Sequence, residues 1–224
     1  MKKTAVIIGA GGGIGSRLVE ELSSEYDVIS VSRSGDFSCN LTSYQEIKDV
    51  IEKIKSQTKE IDLLINAAGV ATYEQIVQVT DDDLQNAFMV NTIAPAIFIR
   101  ELAPLMNHPK SLVLSLGSGA GVMPMRGRSV YCSTKYALRG LSLSLNEEYK
   151  EGNPHFCLIT LGSTITNFGP MTAEEKQKEA ENGRAYFPLE WVISKLVEII
   201  HDDYREDEIV LYPSEHGFGK WKKP

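Results

Sequence analysis

A single doubly wound α/β domain, a parallel sheet of about seven strands with helices on both faces, is the fold this sequence predicts. Three observations carry the prediction. Short, continuously apolar runs alternate with longer stretches of helical period, and runs apolar at every position belong to strands covered on both faces. The first such run leads straight into a glycine-rich segment and then a helix. No linker, repeat or low-complexity stretch interrupts the alternation, so residues 1–224 read as one domain.

Taken in order, residues 4–8 (TAVII) form a first buried strand and 14–24 a helix. Residues 27–31 (DVISV) form a second strand, with a short third near 37–39. Ser43 and Glu46 make a Ser-x-x-Glu capping box for a helix running to about Gln57. Residues 61–65 (IDLLI) are a strand. Thr80 and the three aspartates after it suit the start of a long helix reaching toward Met106, since a hydroxyl caps the first turn and acids complement its positive end. Residues 111–116 read as a strand, 131–149 as a helix and 155–161 as a strand. Pro188 marks the start of a helix running to about His201, and 209–212 close the sheet.

Composition narrows the function. The 224 residues are 42% apolar and 24% charged, an ordinary globular mix, and a net charge of −7 argues against a nucleic-acid surface. Cys39, Cys132 and Cys157 are odd in number and scattered, which fits neither a disulfide framework nor a zinc pattern and favours a reducing cytoplasm. His108, His155, His201 and His216 lack ligand spacing, so no metal is expected. The apolar run near the N-terminus is too short for a signal peptide or a membrane span. The basic tail, 219–224, reads as short and solvated.

Two patterns carry chemistry. Tyr131 and Lys135 lie four apart in a helical stretch, hence one above the other on a single face. A free phenol, with a pKa of about 10, is a poor acid or base near neutrality, and a neighbouring cation draws that value toward working pH. The same spacing also fits an amphipathic helix with a snorkelling lysine, so the rest of the chain decides. The second pattern is Gly9-Ala-Gly-Gly-Gly-Ile-Gly15, five glycines in seven residues at a strand-to-helix junction. Such a turn lets backbone approach a pyrophosphate, with amide donors and positive potential at the helix start. Ile14 breaks the G-x-G-x-x-G register, and the Gly-Lys-Ser/Thr ending of a phosphate loop is missing. What is present is G-x-x-x-G-x-G over Gly9, Gly13 and Gly15.

That spacing, with the Tyr-x-x-x-Lys pair, resembles the short-chain dehydrogenase/reductase family over nearly the whole chain. Asn66-Ala67-Ala68-Gly69 is similar to the family's Asn-Ala-Gly motif, and Asn91 to its helix asparagine. Ser118, thirteen residues before Tyr131, matches its catalytic serine, and 161–166 (LGSTIT) resembles its Pro-Gly-x-x-x-Thr segment. The resemblance implies a Rossmann fold, a nicotinamide dinucleotide, and reversible hydride transfer to or from a small-molecule carbonyl or secondary alcohol. It gives Tyr131 the proton-transfer role, Lys135 the task of lowering the Tyr131 pKa and bonding the nicotinamide ribose, and Ser118 the polarising of the substrate oxygen. Asn91 would hold a water linking Lys135 to solvent. The implied cofactor contacts are Gly9, Gly13, Ile14, Gly15, Ser32, Arg33, Asn40, Leu41, Asn66, Ala67, Ala68, Gly69, Gly162, Thr164 and Thr166, with Tyr131 and Lys135.

Departures from the pattern are Ile8 for Thr, Gly117 for Ser and Leu161 for Pro, all expected to adjust loop stiffness. Asn40 replaces an Asp that contacts adenine, and its amide oxygen can still accept that bond. The stretch between the second strand and Asn40 is too short for the helix usually found there. At the end of the second strand, Ser32-Arg33-Ser34 stands where an NAD-preferring site has an acid, and a guanidinium flanked by hydroxyls suits a 2′-phosphate. NADP(H) is therefore expected, with NAD(H) the second candidate. A merely solvated Arg33 is the other reading, and Asp36 stands nearby.

Substrate choice is expected from 163–188, where the polar, helix-prone stretch 172–182 reads as a mobile lid. Phe168, Met171, Tyr186, Phe187, Met123 and Met125 offer apolar contacts, and Arg126, Arg128 or Arg184 could meet an acidic group. The ending 208–213 lacks the Asp-Gly-Gly of many acyl-carrier reductases and looks more like members acting on small hydroxy acids or general carbonyls. The resemblance implies a homodimer or homotetramer built on 81–106 and 131–149, with Phe88, Ile97, Phe98, Leu141 and Leu145 compatible with the interface, although a monomer's core would use the same residues. A non-catalytic dinucleotide sensor of the same fold is the competing function, although it would have no need of the Tyr131 proton donor.

Overall fold

Successive residues of each central strand feed different cores, which is why the strands are apolar throughout. In the computed structural model, which describes residues 2–35, 37–204 and 206–221, the first strand is Lys3–Ile8 (β1). Its Ala5 and Ile7 join one buried cluster, while Val6 and Ile8 join the other. Leu112 and Leu114 likewise oppose Val113, and Cys157 and Ile159 oppose Phe156. Burying each Ile or Leu in full is worth roughly 1.5–3 kcal/mol, so a polar residue at any of these places would cost the fold on one face or the other.

The remaining strands are Tyr26–Ser32 (β2), Phe37–Ser38 (β3), Leu63–Asn66 (β4), Leu112–Leu116 (β5), His155–Leu161 (β6) and Glu208–Leu211 (β7). All seven run parallel in the order β3-β2-β1-β4-β5-β6-β7. The winding reverses between β1 and β4, and such a switch point opens a crevice beyond the carboxyl ends of the strands. Helices Gly13–Leu22 (α1) and Leu189–His201 (α7) cover one face through Leu18, Leu22, Val192 and Leu196. Helices Tyr44–Gln57 (α2), Ala94–Leu102 (α4) and Ser129–Glu148 (α5) cover the other, through Ile47, Ile51, Phe98 and Leu145. Asp81–Phe88 (α3) precedes α4, and Ala173–Glu181 (α6) lies in the loop after β6. No helix separates β2 from β3 among the described residues.

Several local expectations need correction. The helix expected over 80–106 is present as one run, Asp81–Leu105, but it is not regular: α3 passes through a π turn, Met89–Ile93, into α4. Pro95 has no N–H to offer the Asn91 carbonyl four residues back, and the widened turn, where Ala94 N–H bonds Met89 O, absorbs the mismatch. Helix α7 begins at Leu189, so Pro188 is its N-cap rather than its first residue. The Ser43 box is half made. Ser43 accepts from Glu46 N–H, but the Glu46 carboxylate turns to Asn40 N–H at 2.8 Å. Phe98, a candidate for a subunit interface, is fully buried in the core and unavailable. The tail does not stand free as far as Trp221: Lys220 N–H bonds Gly183 O at 2.9 Å and Lys220 O accepts from Ala185 N–H at 3.1 Å. Residues 222–224 and Asp36 lie outside the described residues.

Candidate active site

The glycine turn after β1 is held by close packing. Gly9, at φ +89°, lies so near the segment after β4 that a Cβ there would fall 2.4 Å from Ala68 N, and one on Gly15 would fall 2.2 Å from Gly9 O. Ala67 N–H bonds Ile8 O at 2.9 Å, joining the ends of β1 and β4. Gly12, the N-cap of α1, supplies no side-chain cap, so the first-turn amides keep their donors and the positive end of the helix. A Cβ on Gly13 would come within 3.1 Å of the Thr166 side chain, so the backbone is bare where a bulky anion would approach it.

Beyond this turn a cavity of about 420 Å³ runs from Ile14 to the end of β5. Tyr131, Ser118 and Lys135 all line it, along with Ala67, Ala68, Gly69, Gly162, Thr164 and Thr166. Tyr131 sits near the start of α5 and Lys135 one turn on, both buried. Ser118 follows β5 as the N-cap of a short 3-10 turn, where its oxygen accepts from Ala120 N–H at 3.1 Å. That turn packs hard on α5: a Cβ on Gly121 would lie 2.8 Å from Lys135 O. The three groups expected to converge are thus brought together, on the same side as the glycine turn.

Their electrostatics differ from expectation. Burial raises the Tyr131 phenol above its ordinary value, opposed first by a hydrogen bond with Ser118 and then by the charge of Arg128. Lys135 does not set the direction. Its Nζ donates to Leu116 O at 2.9 Å and lies 6.0 Å from the Tyr131 ring centroid. Burial draws Lys135 itself down to about 8. The cation that pulls on the phenol is Arg128, just before α5, which stacks 4.3 Å over the Tyr73 ring. Tyr73 in turn lies nearly parallel to Tyr131, with centroids 6.3 Å apart, and Phe168 leans on Tyr131 at 6.0 Å.

Asn91 also behaves differently. Its side chain is bonded within the protein: Oδ1 accepts from Val70 N–H at 2.8 Å, and Nδ2 donates to Val70 O at 2.8 Å and Thr134 Oγ1 at 3.0 Å. It pins the segment after β4 to α5, with the second lone pair of Oδ1 and the main-chain carbonyl as its remaining acceptors for a water. Asn40 Oδ1 is likewise occupied, accepting from Thr42 N–H at 3.1 Å and Thr42 Oγ1 at 2.9 Å, so both lone pairs are engaged and the expected acceptor for adenine is taken. Asn66 Nδ2 bridges to Ser115 Oγ at 3.2 Å, tying β4 to β5. Ser32 adjoins the glycine turn, 3.4 Å from a Cβ built on Gly11, and its hydroxyl bonds Ser34 O at 2.5 Å. Arg33 is exposed, with no described residue bonded to its guanidinium. Leu41 is half-buried against the core beyond β3.

Sequence reasoning missed Tyr73, Lys176, Tyr212 and Trp221 in the cavity wall. Lys176 is the most informative. The polar stretch expected to be a mobile lid folds into α6, opened by a capping box between Thr172 and Glu175. Its buried Lys176 reaches back to donate to Thr166 O at 2.7 Å and Phe168 O at 2.6 Å, and burial lowers its pKa. The T-A-E-E spacing announced the cap, but nothing local announces where the ammonium goes. Phe187 is fully buried in the core and stacks on Trp191 at 4.4 Å, and Arg126 is absent from the wall.

A sequence profile described as short chain dehydrogenase matches residues 3–179. Among curated proteins, the chain is 28% identical to nodulation protein G of a Rhizobium species over 80% of its length and 79% of the relative's. It is 27% identical to the NADP-dependent 3-hydroxy acid dehydrogenase of Schizosaccharomyces pombe over 80% of this chain and 78% of that one. Among solved structures, a short-chain dehydrogenase from Streptomyces avermitilis superposes with a TM-score of 0.82, covering 97% of this chain and 90% of that one at 20% identity, a likeness of fold.

Proposed function

The chain belongs to the short chain dehydrogenase family, and from that premise we propose that it is an NADP(H)-dependent oxidoreductase interconverting a small carbonyl compound and its secondary alcohol. The observation that carries the reading is the meeting of Tyr131, Ser118 and Lys135 in one cavity that begins at the uncapped start of α1. The bare glycine backbone and the free helix donors suit a pyrophosphate, and the cavity suits a nicotinamide beside Tyr131. Once bound, the dinucleotide supplies or accepts a hydride at its nicotinamide C4.

The protein's own residues handle the proton. A phenol held above its usual pKa stays protonated at neutrality and is ready to donate to a carbonyl oxygen as negative charge develops there. Ser118 gives that oxygen a second hydrogen bond, and its interaction with Tyr131 eases loss of the phenolic proton. Lys135, with one N–H on Leu116 O, has further donors for a ribose hydroxyl. In this proposal the Asn91 carbonyl, which Pro95 cannot engage, holds the water through which the proton is replaced. Preference for NADP(H) is supported by the exposed Arg33 guanidinium, by the missing acid at the end of β2, and by likeness to an NADP-dependent relative. Dimers or tetramers through the outer sides of α4 and α5 belong to the same proposal, with half-buried Ile97 and Leu141 and the exposed Tyr136 available for contact.

The test is Tyr131→Phe. Turnover of a carbonyl panel should fall by at least about 10³-fold, while NADPH binding by titration calorimetry stays within about threefold. Carbonyl reduction persisting in that variant would refute the reading.

A further inference from the structure

The protein carries a net charge of −7, yet the cavity wall holds Arg128, Lys135, Lys176 and Arg184 against a single carboxylate, Glu215. Three of these cations are held by protein oxygens, Arg184 alone by a carboxylate. Lys135 bonds Leu116 O, Lys176 bonds Thr166 O and Phe168 O, and Arg184 pairs with Glu179 at 3.3 Å. Arg128 has no oxygen partner among the described residues: its Nη1 reaches Met125 Sδ at 3.5 Å, and its guanidinium lies 4.3 Å over the Tyr73 ring.

Resting on the oxidoreductase reading above, we infer that the substrate carries a carboxylate seated on Arg128, with its reacting carbonyl or hydroxyl at Tyr131. A guanidinium held over an aromatic ring keeps N–H groups for a carboxylate, which it can meet with two parallel hydrogen bonds. The same contact ties the cation to the chemistry. Tyr73 bears Arg128 on its face and lies 6.3 Å from Tyr131, centroid to centroid, so cation and phenol share one wall. Phe168 beside Tyr131 and Met125 beside Arg128 add apolar surface to the same cavity, which suits a short hydrocarbon link. Among the described residues Arg128 is the wall cation with no protein oxygen on it, and one guanidinium matches one negative charge. A phosphate dianion would call for a second, whereas Lys135 is assigned to the ribose and Lys176 and Arg184 are held by protein oxygens.

The experiment compares short linear oxo acids, acetoacetate and levulinate among them, with their methyl esters, following NADPH and NADH consumption. Dihydroxyacetone phosphate is the third arm. Acids should exceed esters in kcat/KM by roughly 100-fold, the scale of a charge-assisted bidentate pair. Arg128→Met should bring the acid-to-ester ratio close to one, chiefly by raising KM for the acids, and Arg128→Lys should restore part of it. Because Arg128 also acts on Tyr131, any loss common to acids and esters cancels in this ratio. Equal use of acids and esters by the wild type, a ratio unmoved by Arg128→Met, or preference for the phosphate-bearing ketone would overturn the inference while leaving the oxidoreductase reading intact. No turnover of any carbonyl with either dinucleotide would sink that reading and the inference with it.

Discussion

Replacing Lys135 with methionine should abolish turnover and yet stabilise the protein without dinucleotide at neutral pH. Burial draws the Lys135 ammonium from 10.5 down to about 8, a penalty of roughly 3 kcal/mol for keeping the charge in the fold. Methionine removes that penalty but leaves Leu116 O, now bonded at 2.9 Å, without its donor, a cost of roughly 1–2 kcal/mol. The variant should therefore gain about 1–2 kcal/mol near pH 7. The sign then depends on pH. Below about 8 the folded and unfolded chains both hold the proton and the penalty stands in full. Between there and 10.5 the folded chain has released it while the unfolded chain keeps it, so wild-type stability rises through this window. Above it only the lost hydrogen bond remains, and the variant should be the less stable by about 1–2 kcal/mol. Urea unfolding of both proteins at about pH 7, 8.5 and 10.5, followed by tryptophan fluorescence, measures this crossing. A stability difference that stays constant across the three would refute the argument that the ammonium is held against its burial.

Three further outcomes follow from the same reasoning. Arg33→Ala should weaken NADPH binding by roughly 10- to 100-fold with NADH little changed, since the guanidinium would meet only the 2′-phosphate; calorimetry showing equal losses for both dinucleotides would remove Arg33 from the site. Lys176→Met should speed hydrogen exchange across residues 166–172 by at least about tenfold, because two carbonyls lose the donor that clamps them, and unchanged exchange would show that α6 holds the loop by other means. Glu208, whose carboxyl is kept below its usual range by hydrogen bonds from Arg139 and Thr160 despite partial burial, ties β7 to α5 and β6. Arg139→Met should cost roughly 1 kcal/mol at neutral pH, a difference that shrinks as acid protonates Glu208 through its lowered pKa; a difference equally large in acid would refute the ion pair's part in it.

Much of the site was legible because its parts are local. A strand, a glycine turn and a helix start are consecutive in the chain, and Tyr131 and Lys135 share one helix face by spacing alone. The strands were legible because burial on both faces leaves no polar positions. The long helix over 80–106 was legible, but not the π turn inside it, because the hydropathy pattern runs smoothly through Pro95 and a π turn leaves no mark on composition. Asn40 and Asn91 were read as open to ligand and water, whereas each had partners nearby in space: Thr42 two residues on, and Val70 and Thr134 from other elements.

The residue order by itself determined a parallel sheet, its winding, and the nucleotide-side chemistry of the turn after β1, since each rests on periodicity or on neighbours a few positions apart. Charge is another matter. Which cation acts on the Tyr131 phenol, which lysine clamps the loop after β6, and which guanidinium lies against a tyrosine in the wall were decided only when α5, α6 and the tail packed around one cavity. Electrostatic effects depend on distance and on exclusion of water, and neither is defined until the chain has closed on itself.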